Sequence, residues 1–247
     1  MKFSIITVVL NRVGSIERAV RSLQGQDYSN IEHIVLDGGS TDGTLEKLKT
    51  LLPKEAILLS EPDRGLYDAI NKGLRLATGE VIGLLHSDDY YNSNQVLSEV
   101  ARVFLNSSVD SVFGDAVFFS NGDPNRIIRH YSSSNFNPSR LEWGWMPAHT
   151  TLFMRREKQM VIGEYNLEYK IASDFDFICR AFTLNQTTYS YLPKVLVRMQ
   201  TGGASSAGWK NTWHLNREIM SACRRNNVKT NWLKILSRYP LKLLDYM

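Results

Sequence analysis

The chain has 247 residues, 43% of them hydrophobic, enough to bury the core of one large domain. Its formal charge of +4 sits at one end: residues 208–247 hold four Lys and four Arg against Glu218 and Asp245, a local +6 that leaves −2 for residues 1–207. Two cysteines without a CxxC spacing exclude a disulfide framework and a zinc cluster, and no apolar run approaches the roughly 18 residues that span a bilayer.

In chain order, Phe3–Leu10 is an apolar, β-branched run that predicts a buried strand, and Ile16, Ala19, Val20 and Leu23 then recur at helical spacing. The N-terminus has no small-residue cleavage site behind this run, so no signal peptide is expected, and a reducing cytoplasm fits the cysteine usage. The strand-then-helix unit repeats at Glu32–Leu36 with Thr44–Leu52, Ala56–Ser60 with Leu66–Ala77, and Val81–Leu85 with Asn94–Phe104. Four such units predict an α/β fold, a mainly parallel sheet with helices on both faces and ligands beyond the carboxyl ends of the strands.

Those ends are all polar: Thr7 to Asn11, Asp37-Gly38-Gly39-Ser40-Thr41-Asp42, Glu61-Pro62-Asp63-Arg64-Gly65 and His86-Ser87-Asp88-Asp89. Asp37 suits hydrogen bonding to a base or ribose, with Ser40 or Thr41 as a helix cap; a plainly capped loop is the alternative. Asp88 and Asp89 repel each other unless a cation lies near, and hard oxygen ligands suit Mg2+ or Mn2+; helix capping is again the alternative. After residue 107 the pattern becomes mixed. Short strands are expected at Val109–Phe113, Ala116–Phe119 and Thr151–Phe153, an aromatic loop over His130–Trp145, a helix from Ser173, strands at Thr188–Leu192 and Val195–Met199, and a mostly helical basic tail. This divides the chain into 1–207, with halves 1–106 and 107–207, and the tail 208–247.

Together, "SIITVVLN", "IVLDGGSTDGT", "SEPDRGLYDAINKGLRLATGEVIGLLHSDD" and "SDFDFICRA" resemble the family 2 glycosyltransferases of the GT-A fold, over roughly residues 3–205. The forms are most similar to bacterial members of the colanic-acid, exopolysaccharide and O-antigen type. The resemblance implies an inverting, metal-assisted transfer from a nucleotide-diphosphate-sugar to a hydroxyl of a glycan or polyprenyl-diphosphate-linked saccharide. It assigns Thr7, Asn11, Asp37, Ser40, Asp63, Arg64, Ser87 and Asp88 to the nucleotide-sugar, Asp88 to a Mn2+ or Mg2+ ion, and Asp174 to the general base. His86 stands where the family has an acidic residue, and is expected to meet the metal or the ribose. Trp145 and His149 are candidates for the acceptor, and Trp143 is suited to stacking on a sugar ring. Thr201–Gly208 is a donor-rich loop suited to a diphosphate.

A helix starting at Ser173 is expected to lower the pKa of Asp174 and to turn Asp176 onto another face. The tail alternates Lys229, Lys234, Arg238 and Lys242 with apolar residues, which suits either an anionic membrane surface, at the inner face of the cytoplasmic membrane, or a helix packed on the body; Pro240 is expected to kink or end it. No nucleic-acid motif supports the basic tail as a nucleic-acid binder, and Asn11-Arg12-Val13-Gly14 is no GxGxxG turn. A catalytically inactive relative is the remaining alternative, favoured by His86.

Overall fold

The computed structural model describes residues 1–120, 123–202 and 209–244. Four strand–helix units open the chain: β1 (Phe3–Val9) with α1 (Ile16–Gln24), β2 (Ile31–Asp37) with α2 (Thr44–Leu51), β3 (Ile57–Ser60) with α3 (Leu66–Leu76), and β4 (Val81–Leu84) with, after the short β5 (Tyr90–Tyr91), α4 (Val96–Phe104). Then come β6 (Ser111–Ser120), β7 (Asp123–Tyr131), 3-10 turns at Pro138–Trp143 and His149–Thr151, β8 (Phe153–Arg155) and α5 (Arg156–Ile162). Helix α6 (Ser173–Cys179) widens into a π-turn over Arg180–Leu184, followed by β9 (Tyr189–Gln200), α7 (Trp209–Arg225) and α8 (Trp232–Leu244).

All strands join one sheet in the order β3-β2-β1-β4-β8-β6-β9-β5, with β7 on β6. β1 pairs in parallel with both β2 and β4, so the strand order reverses around it and a crevice forms at its carboxyl end. Every residue of β1 is buried, as a strand covered on both faces requires. Ile6 and Val8 face a core shared with α3, α6 and α7, while Phe3 and Ile5 face a second core with α4.

The second half departs from expectation in its details. β6 and β9 are single long strands, each covering two expected short ones, because a register shift between Phe113 and Asp115 bends the pair without ending it. Gly114 permits this: a Cβ there would stand 2.7 Å from the Leu196 side chain and from the Lys194 carbonyl. The first two residues of the expected aromatic loop, His130 and Tyr131, instead end β7, whose mostly exposed residues carry no apolar stripe to betray a strand. Thr151 belongs to a 3-10 turn, its hydroxyl donating to the Gly114 and Ala148 carbonyls, and β8 starts only at Phe153. Helix α8 runs through Pro240. The tail is packed on the body: Ile219, Met220, Ala222 and Cys223 of α7 and Ile235 of α8 are buried in the main core. Among the described residues, no helix is long and apolar enough to cross a membrane.

Gly73 sets the distance between α3 and β1, since a Cβ there would lie 2.5 Å from Ile6 Cγ2 and 3.0 Å from Leu36 Cδ2. Both neighbours are buried and have no room to yield. Gly73→Ala gains about 1 kcal/mol of helix propensity but over-packs the core by about 1–3 kcal/mol. Urea denaturation is expected to show a net loss of about 1 kcal/mol.

Candidate active site

The loops after β1 and β2 are stitched together by short polar side chains. Asn11, at φ 52°, is in the left-handed region that Asn tolerates; its N–H donates to Ser40 Oγ at 2.8 Å and its Oδ1 accepts from the Thr41 N–H at 2.9 Å. Those bonds occupy Ser40 and Thr41, and neither caps α2. Gly43 is the cap position, while Asp42 Oδ1 accepts from the Thr44 N–H at 3.0 Å. Asp37 ends β2, 1% exposed, and its carboxylate accepts from the Ser60 hydroxyl at 2.6 Å and the Ser40 N–H at 3.1 Å. Asp63 lies over this turn, where a Cβ on Gly38 would approach its Oδ2 to 2.5 Å. Arg64 leans on Asp68 at 3.3 Å but remains largely exposed. Thr7 is buried with its hydroxyl 3.0 Å from His33 Nε2. Beside Asn11 opens a cleft of about 430 Å3, lined also by Arg12, Ser15, Arg18 and Gln200. That volume is the scale of a small-molecule site.

At the end of β4 the two adjacent carboxylates part company. Asp89 is buried, which pushes its carboxyl well above the usual range, and the Asp88 charge adds to this; its Oδ1 accepts from the Gln200 N–H at 3.4 Å. Asp88 stays half-exposed and Ser87 is buried. Burial of Asp89, by favouring its protonated form, eases their repulsion, and neither caps α4, whose cap position is Gln95. Among the described residues, no three His, Cys, Asp or Glu side chains gather to hold a metal by themselves. The donors present are the Asp88 carboxylate and His86, whose Nδ1 is buried without a hydrogen-bond partner. Such a set fits a divalent ion that takes most of its shell from phosphate oxygens and water.

The strongest feature joins three distant segments. His86 Nε2 lies 3.0 Å from His149 Nε2, and His149 Nδ1 lies 3.2 Å from Asp174 Oδ2. Asp174 Oδ1 accepts from the Phe175 N–H at 2.8 Å and meets the Tyr67 hydroxyl at 3.4 Å, while that hydroxyl donates to the Ile171 carbonyl at 2.6 Å. The expected lowering of the Asp174 pKa at the helix start is overturned: burial dominates the local N–H bonds and raises it to about 6. Burial also pulls both histidines down to about 4, so the Asp174–His149 contact is a hydrogen bond to a neutral ring. Asp176 faces away, bonded to Arg180 and Asn226.

Tyr67 and Glu218 escaped sequence reasoning. Tyr67 stood in the quoted "GLYDAINKG" stretch, but only the fold aims it at Asp174. Glu218, on α7, accepts from the N–H groups of Lys170, Ile171 and Ala172 at 2.8–2.9 Å and so fixes the loop that enters α6. Trp145 is half-buried. The expected diphosphate loop is described only at Thr201 and Gly202; its remainder lies outside the described residues.

The raised pKa carries a stability consequence. From its ordinary 3.8 to about 6, Asp174 favours the folded state only while protonated; that contribution is complete below 3.8 and lost as pH rises through 6. Asp174→Asn removes a buried charge at pH 7.5 and is expected to raise unfolding free energy there by about 1–3 kcal/mol, a gain that fades toward pH 4 in denaturation measurements.

Comparison with known proteins bears on the family and the fold. The family model for glycosyl transferase family 2 matches residues 4–166. A PGL/p-HBAD biosynthesis glycosyltransferase of Mycobacterium bovis is 29% identical over 96% of this chain and 93% of its own, and the Mycobacterium tuberculosis glycosyltransferase Rv1514c is 33% identical over 72% and 68%. Among solved structures, Staphylococcus aureus TarS 1-349 in complex with UDP-GlcNAc superposes with a TM-score of 0.67 at 22% identity, covering 90% of this chain and 66% of that one. Mannosyltransferase PcManGT from Pyrobaculum calidifontis, with GDP-Man and Mn2+, gives 0.65 at 21%, covering 90% and 64%. The chain spans only 39% of the longer TarS chain. The sheet order, the polar strand ends and the matched model make this chain a GT-A-fold glycosyltransferase of family 2.

Proposed function

We propose that this enzyme transfers a sugar with inversion from a nucleoside-diphosphate sugar to a hydroxyl of a glycan or polyprenyl-diphosphate-linked saccharide in surface polysaccharide synthesis. The observation that carries the reading is Asp174: a half-buried carboxylate, oriented by His149 and the Phe175 N–H, with its pKa raised to about 6. A base of that strength is ionised at neutral pH yet avid enough for the proton of an attacking hydroxyl. Asp174 takes the acceptor proton, the acceptor oxygen bonds to the anomeric carbon from the face opposite the diphosphate, and the nucleoside diphosphate departs with the bonding pair. Asp37 and Asp63 receive the base and ribose, Asn11 and Ser40 hold the turn beneath them, and Arg64 and Ser87 approach the phosphates. Asp88, with His86, would hold a Mn2+ or Mg2+ ion, which when bound would neutralise charge on the leaving diphosphate. His149 is too engaged with Asp174 to serve first as an acceptor contact, and Trp145 remains the aromatic candidate for that role. The UDP-GlcNAc and GDP-Man complexes of the fold neighbours support the donor class, and the Mn2+ of one supports a divalent ion.

Incubation with a panel of nucleotide-sugars is expected to release the nucleoside diphosphate with one donor, with kcat falling on an acidic limb centred near pH 6 as Asp174 gains its proton. Asp174→Asn is expected to lower kcat by at least about 100-fold with donor binding retained. An active Asn variant overturns the assignment.

The C-terminal helices support a membrane-surface site of action. Trp213 and Trp232 stack at 5.1 Å and, with Leu233 and Leu236, stand exposed, whereas Arg238 points inward to the Gly144 carbonyl and Asn216. Arg217, Arg224 and Lys229 are exposed on the same pair of helices or the turn between them. Apolar residues outward among cations suit the headgroup region of an anionic bilayer at the inner face of the cytoplasmic membrane. Co-sedimentation with phosphatidylglycerol vesicles is expected to weaken about tenfold in a Trp232→Ala, Leu233→Ala double variant, and equal binding overturns this contact.

A further inference from the structure

The turn that carries His149 is held from outside the site. Bulges re-aim the side chains beside them, and Asp115 lies where the β6–β9 register shifts, its side chain buried. Its carboxylate gathers three segments. Oδ1 accepts from the Ser133 N–H at 2.8 Å and from the Tyr191 hydroxyl at 3.0 Å, and His130 Nε2 lies 3.4 Å from Oδ2. Ser133 is thereby fixed through its backbone, which leaves its side chain for another task. The residue is buried, and its Oγ accepts from the Ala148 N–H at 3.4 Å, one position before His149. The Tyr131 hydroxyl adds a bond to the Met146 carbonyl at 2.7 Å, and Thr151 ties the other end of the turn to the Gly114 carbonyl at 3.0 Å. A carboxylate serving the β6–β7 pair alone needs no such continuation.

We propose that Asp115 and Ser133 are positioning residues for the transfer step: they set the turn from which His149 reaches Asp174. The inference rests on Asp174 as the base. The path runs from Asp115 to the Ser133 N–H, from Ser133 Oγ to the Ala148 N–H, and along the backbone to His149, whose Nδ1 lies 3.2 Å from Asp174 Oδ2. Removing the Ser133 hydroxyl takes away the acceptor of the Ala148 N–H, and a buried N–H without a partner drives the turn to shift toward another one. A displacement of about 1 Å is enough to lower turnover steeply. The donor contacts at the ends of β1 and β2 lie on other elements and stay in place.

Steady-state kinetics with the nucleotide-sugar that the unmodified protein turns over test this. Ser133→Ala removes a single oxygen atom, so the fold survives it. It is expected to lower kcat at least about tenfold, with the donor KM within about twofold of the unmodified protein. Asp115→Asn keeps an oxygen for the Ser133 N–H and is expected to retain kcat within about threefold, whereas Asp115→Ala falls as far as Ser133→Ala. An unchanged kcat in Ser133→Ala overturns the proposal, and so do equal losses in Asp115→Asn and Asp115→Ala. The decisive comparison repeats Ser133→Ala in a His149→Ala background, read under single-turnover conditions with enzyme in excess. Residues acting along one path are not additive, so the further loss there is expected to stay below about twofold. A full tenfold loss in that background marks a general effect on the fold and overturns the positioning role. An Asp174→Asn variant that stays fully active overturns the reading of the base, and this inference with it.

Discussion

A carboxylate largely withdrawn from water needs hydrogen-bond donors around it, and Asp174, its side chain only 13% exposed, imposes that demand on this fold. An isolated buried charge costs several kcal/mol, so the surroundings either supply donors or force the group to keep its proton. Here they do some of each. The Phe175 N–H and His149 offer donors and the Tyr67 hydroxyl lies at 3.4 Å, yet burial still outweighs them and raises the pKa to about 6. The outcome is a carboxylate that is neither the inert salt of a surface aspartate nor a permanently protonated acid.

Sheet topology makes this arrangement available. Because β1 has parallel partners on both sides, the ends of β1, β2 and β4 converge on one crevice. β8 then pairs antiparallel with β4, which brings the 3-10 turn carrying His149 beside His86. Helix α6 completes the set from the opposite layer. The same crevice also treats two neighbouring aspartates differently, burying Asp89 and leaving Asp88 half-exposed.

Much of the first half was legible in the sequence because its elements are buried in simple periodic ways. β1 is an unbroken apolar run, and α1 buries Ile16, Ala19, Val20 and Leu23 as their spacing demands. The second half was less legible for physical reasons. β7 is wet on both faces, and the bulge near Gly114 is set by close packing against Leu196 that leaves no local signature. At the site, the types of the key residues could be read but not their partnerships: His86 and His149 stand 63 positions apart and meet only through strand pairing. The Asp174 pKa illustrates the limit well. A helix start visible in the sequence argues for a lowered value, while the desolvation that reverses it comes from the packed fold around the side chain.

Glu218 extends the reach of the site in a direction that charge alone conceals. The change from acidic body to basic tail falls near residue 208, and it invites the removal of everything beyond as a dispensable attachment. Yet the carboxylate that ties down Lys170, Ile171 and Ala172 lies on the far side of that line, and so does Asn226, which holds Asp176. A shortened protein ending at the charge boundary therefore loses the anchor of the loop preceding Asp174 as well as any contact with lipid. Deletion confounds two effects in this architecture, and only point changes on the outward face of the last helices can separate attachment from turnover.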